Sequence, residues 1–228
     1  MRALLAATSF FAFAACGGET PAEVATESSA VASVAAPAPR DSCNDIAALA
    51  SAMTGDEPFA SLRTGNVTLG GDRVDDQFTT DVAPAGAQCK MGKMKGWNPG
   101  EPSMFVVNCE LFSGGVFDQE ENSAKAKAAF DAAKAELDKC LPAEWMSRDG
   151  GNNGDERTEA LIYESAADKE RSESADVYVY PVELRKEYYQ GSMRGGRTPG
   201  WSVVLNFQAS GPKLAEGATL PAEPAAEN

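Results

Sequence analysis

The sequence predicts an α+β domain: an antiparallel β-sheet of about five strands with two helices packed on one face, in the order α-β-β-α-β-β-β. Two stretches, near 43–53 and 119–141, carry apolar residues at helical spacing. Shorter stretches alternate apolar and polar residues with the period of two of a half-buried strand. Every direct strand-to-strand connection can be a hairpin, and covering one face of the sheet with both helices buries the apolar stripes economically.

In chain order, Ser42-x-x-Asp45 reads as a helix-opening capping pair. Cys43, Ile46, Leu49, Ala50 and Met53 follow on one stripe, with Gly55 as a stop. Asn66–Leu69 and Gln77–Val82 are short strand candidates around a Gly70-Gly71-Asp72 turn, and are left out of the five. The clearest hairpin joins Ala87–Met94 to Met104–Phe112 through Asn98-Pro99-Gly100. Phe105, Val107, Cys109 and Leu111 alternate there with Val106, Asn108 and Glu110. The longest helix, Gln119 to Leu141, has Ala126, Phe130, Ala133, Leu137 and Cys140 as its inward stripe, and Pro142 ends it. Asp118, Glu120 and Glu121 suit the positive end of its dipole. Strands follow at Thr158–Glu164, Asp176–Arg185 and Trp201–Ala209, and Pro181 assigns the middle one to an edge or a bulge.

This domain occupies residues 41–212. Residues 19–40 are mainly Ala, Pro, Ser, Thr, Val and Glu without an aromatic, and residues 213–228 are similar. Such segments bury too little to offset the entropy of ordering, so they predict a disordered tether and tail. At the other extreme, Ala3 to Phe13 is apolar, follows Arg2 and is too short to span a bilayer. It predicts a removable export signal over residues 1–15. Ala14-Ala15-Cys16-Gly17-Gly18 resembles the signal peptide of bacterial lipoproteins, with Phe13 where that family more often has Leu. The resemblance implies acylation (palmitate among the chains) of Cys16 as the first mature residue, and a membrane anchor facing the periplasm. With Gly17 rather than Asp after the cysteine, it further implies the outer membrane. Ala12-Phe13-Ala14 also reads as an ordinary cleavage site, which would release a soluble secreted form.

Of five cysteines, acylation of Cys16 leaves Cys43, Cys89, Cys109 and Cys140, an even set. An exported chain favours disulfides over buried free thiols. Directly opposed strand residues hold their Cβ atoms ~4.5–5.5 Å apart, wider than the ~3.8 Å a disulfide prefers. The expected pairs are therefore helix to sheet, Cys43–Cys89 and Cys109–Cys140. No pair is spaced C-x-x-C.

The net charge of −14 argues against nucleic acid, whose phosphates need clustered Lys and Arg. Histidine is absent, which removes Ser-His-Asp and Cys-His machinery and the usual zinc or copper ligation. No Walker loop, G-x-S-x-G, G-x-G-x-x-G or S-x-x-K occurs. No catalytic residue, metal or cofactor is assigned. Asp149 to Glu156 departs from a calcium loop, because Gly151 and Ala160 stand where ligands belong. Met91 and Met94 are a pair of soft ligands, although Met91 reads better as core. The loop after Lys186 stands out most: Tyr188, Tyr189, Arg194, Arg197 and Trp201 sit on a Gly-rich stretch, the residue types that dominate binding hot spots. A long solvated hairpin turn is the plain alternative. The sequence thus predicts a non-enzymatic envelope lipoprotein that binds another protein or a cell-wall component. A carboxylate-dependent hydrolase of cell-wall polysaccharide is the rival reading, since two acids suffice for that chemistry.

Overall fold

The computed structural model describes residues 41–96, 100–152, 157–173, 179–191 and 199–211. Cys16, its leader and tether, the Asn98-Pro99 part of the first hairpin turn, Arg194, Arg197 and the C-terminal tail lie outside the described residues.

The elements are α1 (Ser42–Ser51), β1 (Arg63–Leu69), β2 (Asp72–Thr80), β3 (Gln88–Met94), β4 (Met104–Ser113), α2 (Gln119–Cys140), β5 (Trp145–Asp149), β6 (Glu159–Ser165), α3 (Ala166–Glu173), β7 (Val182–Tyr189) and β8 (Gly200–Ser210). All strands join one antiparallel sheet in the order β1-β2-β3-β4-β8-β7-β6-β5. Among the described residues, eight strands and three α-helices replace the five and two expected from the sequence. The expectation missed β5 and α3 and omitted β1 and β2, because none of these carries a continuous buried stripe. It also placed β7 six residues early; the strand begins after Pro181, whose missing N–H suits a strand boundary.

The core lies between the sheet and α1 and α2. Phe105, Val107 and Cys109 of β4, Val203, Leu205 and Phe207 of β8, and Val182 and Leu184 of β7 form the floor. Ile46 and Leu49 of α1 and Ala126, Phe130, Ala133 and Leu137 of α2 cover it, each at most 1 % exposed. Fully burying one such large side chain is worth roughly 1.5–3 kcal/mol, so this layer holds the fold.

Asp41, not Ser42, caps α1 by accepting from the Cys43 N–H at 3.1 Å. Ser42 and Asp45 are thereby released for a tertiary role. The Ser42 Oγ donates to Glu136 of α2 at 2.5 Å and accepts from the Ala85 N–H at 2.7 Å, while the Asp45 carboxylate accepts from the Ala83 N–H at 3.0 Å. The reciprocal capping box occurs at α3 instead. There the Ser165 Oγ accepts from the Asp168 N–H at 3.1 Å, and the Asp168 carboxylate accepts from the Ser165 N–H at 3.3 Å.

The disulfides are Cys43–Cys140 and Cys89–Cys109, which corrects the expected helix-to-sheet pairing. Cys43 and Cys140 close the neighbouring ends of α1 and α2, with Cα atoms 4.9 Å apart. Cys89 and Cys109 are direct partners in the β3–β4 register, and their Cα atoms approach to 4.0 Å. That is the closeness of a narrow antiparallel pair, so the separation assumed for an average opposed pair overstated the gap. Two disulfides indicate an oxidising, extracytoplasmic compartment. No helix among the described residues is long and apolar enough to cross a membrane.

Candidate functional site

The β7–β8 hairpin carries the residues that the sequence singles out. Its register sets Tyr188 opposite Trp201 and Tyr189 opposite Gly200. Tyr188 and Trp201 share the helix-facing side, with ring centroids 5.3 Å apart and planes inclined at 58°. Tyr189 points to the opposite face and folds over Gly191, where an added Cβ would sit 2.1 Å from its hydroxyl oxygen. The sequence grouping is therefore split: Tyr188 and Trp201 come together and Tyr189 does not join them. Whether Arg194 and Arg197 belong with them falls outside the described residues.

Cations that sequence reasoning missed flank the aromatic pair. The Arg157 guanidinium lies 5.2 Å from the centre of the Tyr188 ring, a cation–π distance. One step inward on the same face, the Lys186 ammonium sits 5.6 Å over the Phe130 ring and pairs with Glu159 at 2.6 Å. Only strand order could have found them, because Lys186 and Glu159 meet across β6 and β7, 27 residues apart.

The backbone around this end is pinned. Gly200 adopts φ +134°, and a Cβ there would stand 1.9 Å from the Gly114 carbonyl oxygen. The Gly114 N–H in turn donates to the Trp201 carbonyl at 2.8 Å. Glycine at 200 lets the β4–α2 loop close directly onto Trp201. That loop presents Val116 and Phe117 to solvent, 44 % and 80 % exposed, and Asn122 holds it by donating to the Phe117 carbonyl at 2.7 Å.

No protein family, curated protein or solved structure matches this chain. Its chemistry is therefore read from its own geometry.

A second feature lies where the end of α2 meets β5 and β6. Leu137, Asp138, Leu141, Pro142, Ala143, Trp145, Ser147 and Tyr163 line a depression of about 170 Å³. In its wall the Tyr163 hydroxyl donates to the Asp138 carboxylate at 2.9 Å, and Lys134 donates to the other carboxylate oxygen. Burial, reinforced by the hydrogen bond to Asp138, pushes the Tyr163 hydroxyl well above the ordinary tyrosine range. Burial also pushes the Asp138 carboxyl up, but the hydrogen bonds from Lys134 and Tyr163 outweigh it and leave it below its usual value.

The face of the sheet away from α1 and α2 carries a polar row. Asn108 donates to Asn206 at 2.8 Å, Asn206 reaches Glu183 at 3.4 Å, and Arg185 pairs with Glu183. On the neighbouring strands β5 and β6, Arg148 binds Glu164 at 2.6 Å. Glu183 and Glu164 are buried, and each is engaged by an arginine.

The remaining sequence candidates separate. Met91 is core and lies opposite Val107, whereas Met94 lies opposite Met104 on the other face. Asp149 accepts from the Gly151 N–H at 2.7 Å, closing a local turn, and the rest of that loop lies outside the described residues. No cluster of three or more Cys, Asp or Glu side chains suited to a metal occurs among the described residues.

Proposed function

We propose that this chain is an exported envelope lipoprotein, anchored through an acylated Cys16, whose globular domain binds a partner without catalysing a reaction. The Tyr188–Trp201 pair with Arg157 is the recognition end, and its ligand is another envelope protein or a cell-wall component. One observation carries the reading: two partly buried aromatic rings and a guanidinium are held together on a backbone pinned by Gly114 and Gly200. Tyr, Trp and Arg on a rigid support are the residues that concentrate binding energy, since little side-chain entropy is lost on contact. The two disulfides support export. The buried carboxylates, Glu164 and Glu183, sit in ion pairs with Arg148 and Arg185 on the sheet face away from α1 and α2, and neither lines the depression, so binding is the better reading.

Crosslinking of the intact envelope tests it. The wild-type chain yields reproducible adducts, and Trp201→Ala or Tyr188→Ala lowers their yield at least about tenfold, the scale of a hot-spot truncation. Wild-type yields from both variants, with their melting unchanged, overturn the assignment of this end. The intact mass of the mature chain tests the anchor separately. Acyl chains on Cys16 support it, and an unmodified thiol removes the anchor while leaving the recognition end to stand or fall alone.

A further inference from the structure

The sheet ends at β5, and the direction of its backbone groups follows from the register. The Gly150 N–H donates to the Ala160 carbonyl at 2.9 Å. Gly150 and Ala160 are thus a hydrogen-bonded pair, and the alternation of an antiparallel ladder makes Arg148–Ile162 and Met146–Glu164 the next ones. Trp145, Ser147 and Asp149 then aim their backbone groups away from β6. The Trp145 N–H is taken by the Pro142 carbonyl at 2.9 Å, as that parity requires. The N–H and C=O of Ser147 and Asp149 therefore line an outer edge that no described strand covers.

Beside that edge lies the depression at the end of α2. Ser147 and Trp145 contribute to it, and the same parity puts their side chains on the helix face. Its polar lining includes the Asp138 carboxylate and the Tyr163 hydroxyl, and it lies at the C-terminal end of α2, the negative end of the helix dipole. On the other face Met146 is 64 % exposed. The opposite edge of the sheet differs. β1 has two register irregularities against β2 and is mostly exposed on both faces, and such bulges twist an edge away from further pairing.

We propose that β5 receives an extended peptide as an added antiparallel strand, with a basic side chain of that peptide opposite Ser147 and seated over the C-terminus of α2. Main-chain bonds to Ser147 and Asp149 supply the affinity, and the pocket beside the strand supplies the choice of side chain. The residue opposite Ser147 faces the helix side, toward the Asp138 carboxylate, whose oxygens accept from Tyr163 and Lys134 and keep further lone pairs, and toward the negative end of the α2 dipole. Its neighbours in the peptide fall on the other face, beside Met146, and favour apolar side chains there. A net charge of −14 draws a basic segment toward the domain. This edge is separate from the Tyr188–Trp201 end and does not depend on what that end binds.

The test uses the purified full chain and a capped, fluorescein-labelled heptapeptide, Thr-Thr-Val-Lys-Val-Thr-Thr, read by fluorescence anisotropy. The lysine peptide binds, and its counterpart with Glu in place of Lys binds at least about tenfold more weakly, because like charges then meet at the α2 end. Ser147→Pro abolishes binding with the far-ultraviolet circular dichroism unchanged, since the N–H it removes serves only the outer edge. Should that variant fail to fold, the peptide carries the same question. N-methylation at the Lys amide, which points at Ser147, abolishes binding, and N-methylation at the following Val, which points to solvent, leaves it intact. No binding of the lysine peptide, equal binding of the Lys and Glu peptides, or indifference to which amide is methylated would overturn the proposal. So would a dimer in sedimentation that Ser147→Pro dissolves, since the edge would then belong to a second copy.

Discussion

β6 and β1 both lie away from the centre of one sheet, yet they are built differently. In β6, Ala160, Ile162, Tyr163 and Glu164 are buried, so both faces are covered. In β1 no residue is buried, and Leu69 at its tip is 78 % exposed. The pairing rule is the same on both flanks. What differs is the cover: the end of α2 lies over Tyr163 on one face of β6, and Arg148, stacked 5.9 Å from the Tyr180 ring, lies on the other. β1 and β2 extend beyond the helices as a ribbon closed by Gly70 and Gly71, both at positive φ, the geometry of a two-residue hairpin turn. A strand in this protein is as stable as what is laid across it.

If cover decides, the bond that holds the end of α2 in place should matter most. Cys43–Cys140 closes a separation of 97 residues, against 20 for Cys89–Cys109. On the chain-entropy account a loop near 100 residues is worth about 4.7 kcal/mol, and one near 15 about 3 kcal/mol. Replacing both cysteines of each bridge by serine and unfolding in urea should show the Cys43/Cys140 double variant to be the weaker protein. Hydrogen exchange should locate its loss in α1, the end of α2 and β6, while β1 and β2 change little. Equal losses from the two bridges would mean that the α2 end is held by packing alone.

A pair of truncations sharpens the contrast between the flanks. Ile162, 1 % exposed, should cost about 2–5 kcal/mol as Ile162→Ala. Leu69→Ala should stay within about 0.5 kcal/mol, as an exposed position does. Both are read from urea midpoints at constant slope. A small effect at Ile162 would show that the arginine and tyrosine cover on the outer face excludes little water.

The same asymmetry explains what was legible in the sequence. β4, β8 and α2 each bury one continuous stripe, and their apolar periods are plain because burial imposed them. β5 and β1 bury nothing, so no period marks them. α3 was legible in principle. Its Ser165-x-x-Asp168 box is the motif sought at Ser42-x-x-Asp45, where those two side chains instead reach across to Ala83, Ala85 and Glu136. Tyr188 and Trp201 stood out by residue type, but Arg157 did not, because its role exists only once β6 lies beside β7. The pairing of the cysteines failed for two reasons: the gap across the β3–β4 hairpin at Cys89 and Cys109 is narrower than assumed, and no local pattern encodes that the ends of α1 and α2 carrying Cys43 and Cys140 are neighbours.

The smallest effect expected on the β6 flank is also the most specific. Tyr163→Phe keeps the packing and removes one hydrogen bond to the Asp138 carboxylate, so it should cost about 1 kcal/mol at neutral pH. Two pH limbs separate this from a packing defect. The Tyr163 hydroxyl is raised in the folded protein, so its contribution is complete below pH ~10, where free tyrosine ionises. It is lost as pH climbs further, because the unfolded chain then releases a proton that the folded one retains. The Asp138 carboxyl is depressed, so its contribution is present above pH ~4 and lost as pH falls through its lower folded value. The gap in stability between wild type and Tyr163→Phe should therefore be widest from about pH 5 to 9 and narrow on both sides. A gap that stays constant from below pH ~4 to above pH ~10 would reduce Tyr163 to a space-filling ring, and the wall of the depression at the β5 edge would lose its fixed acceptor.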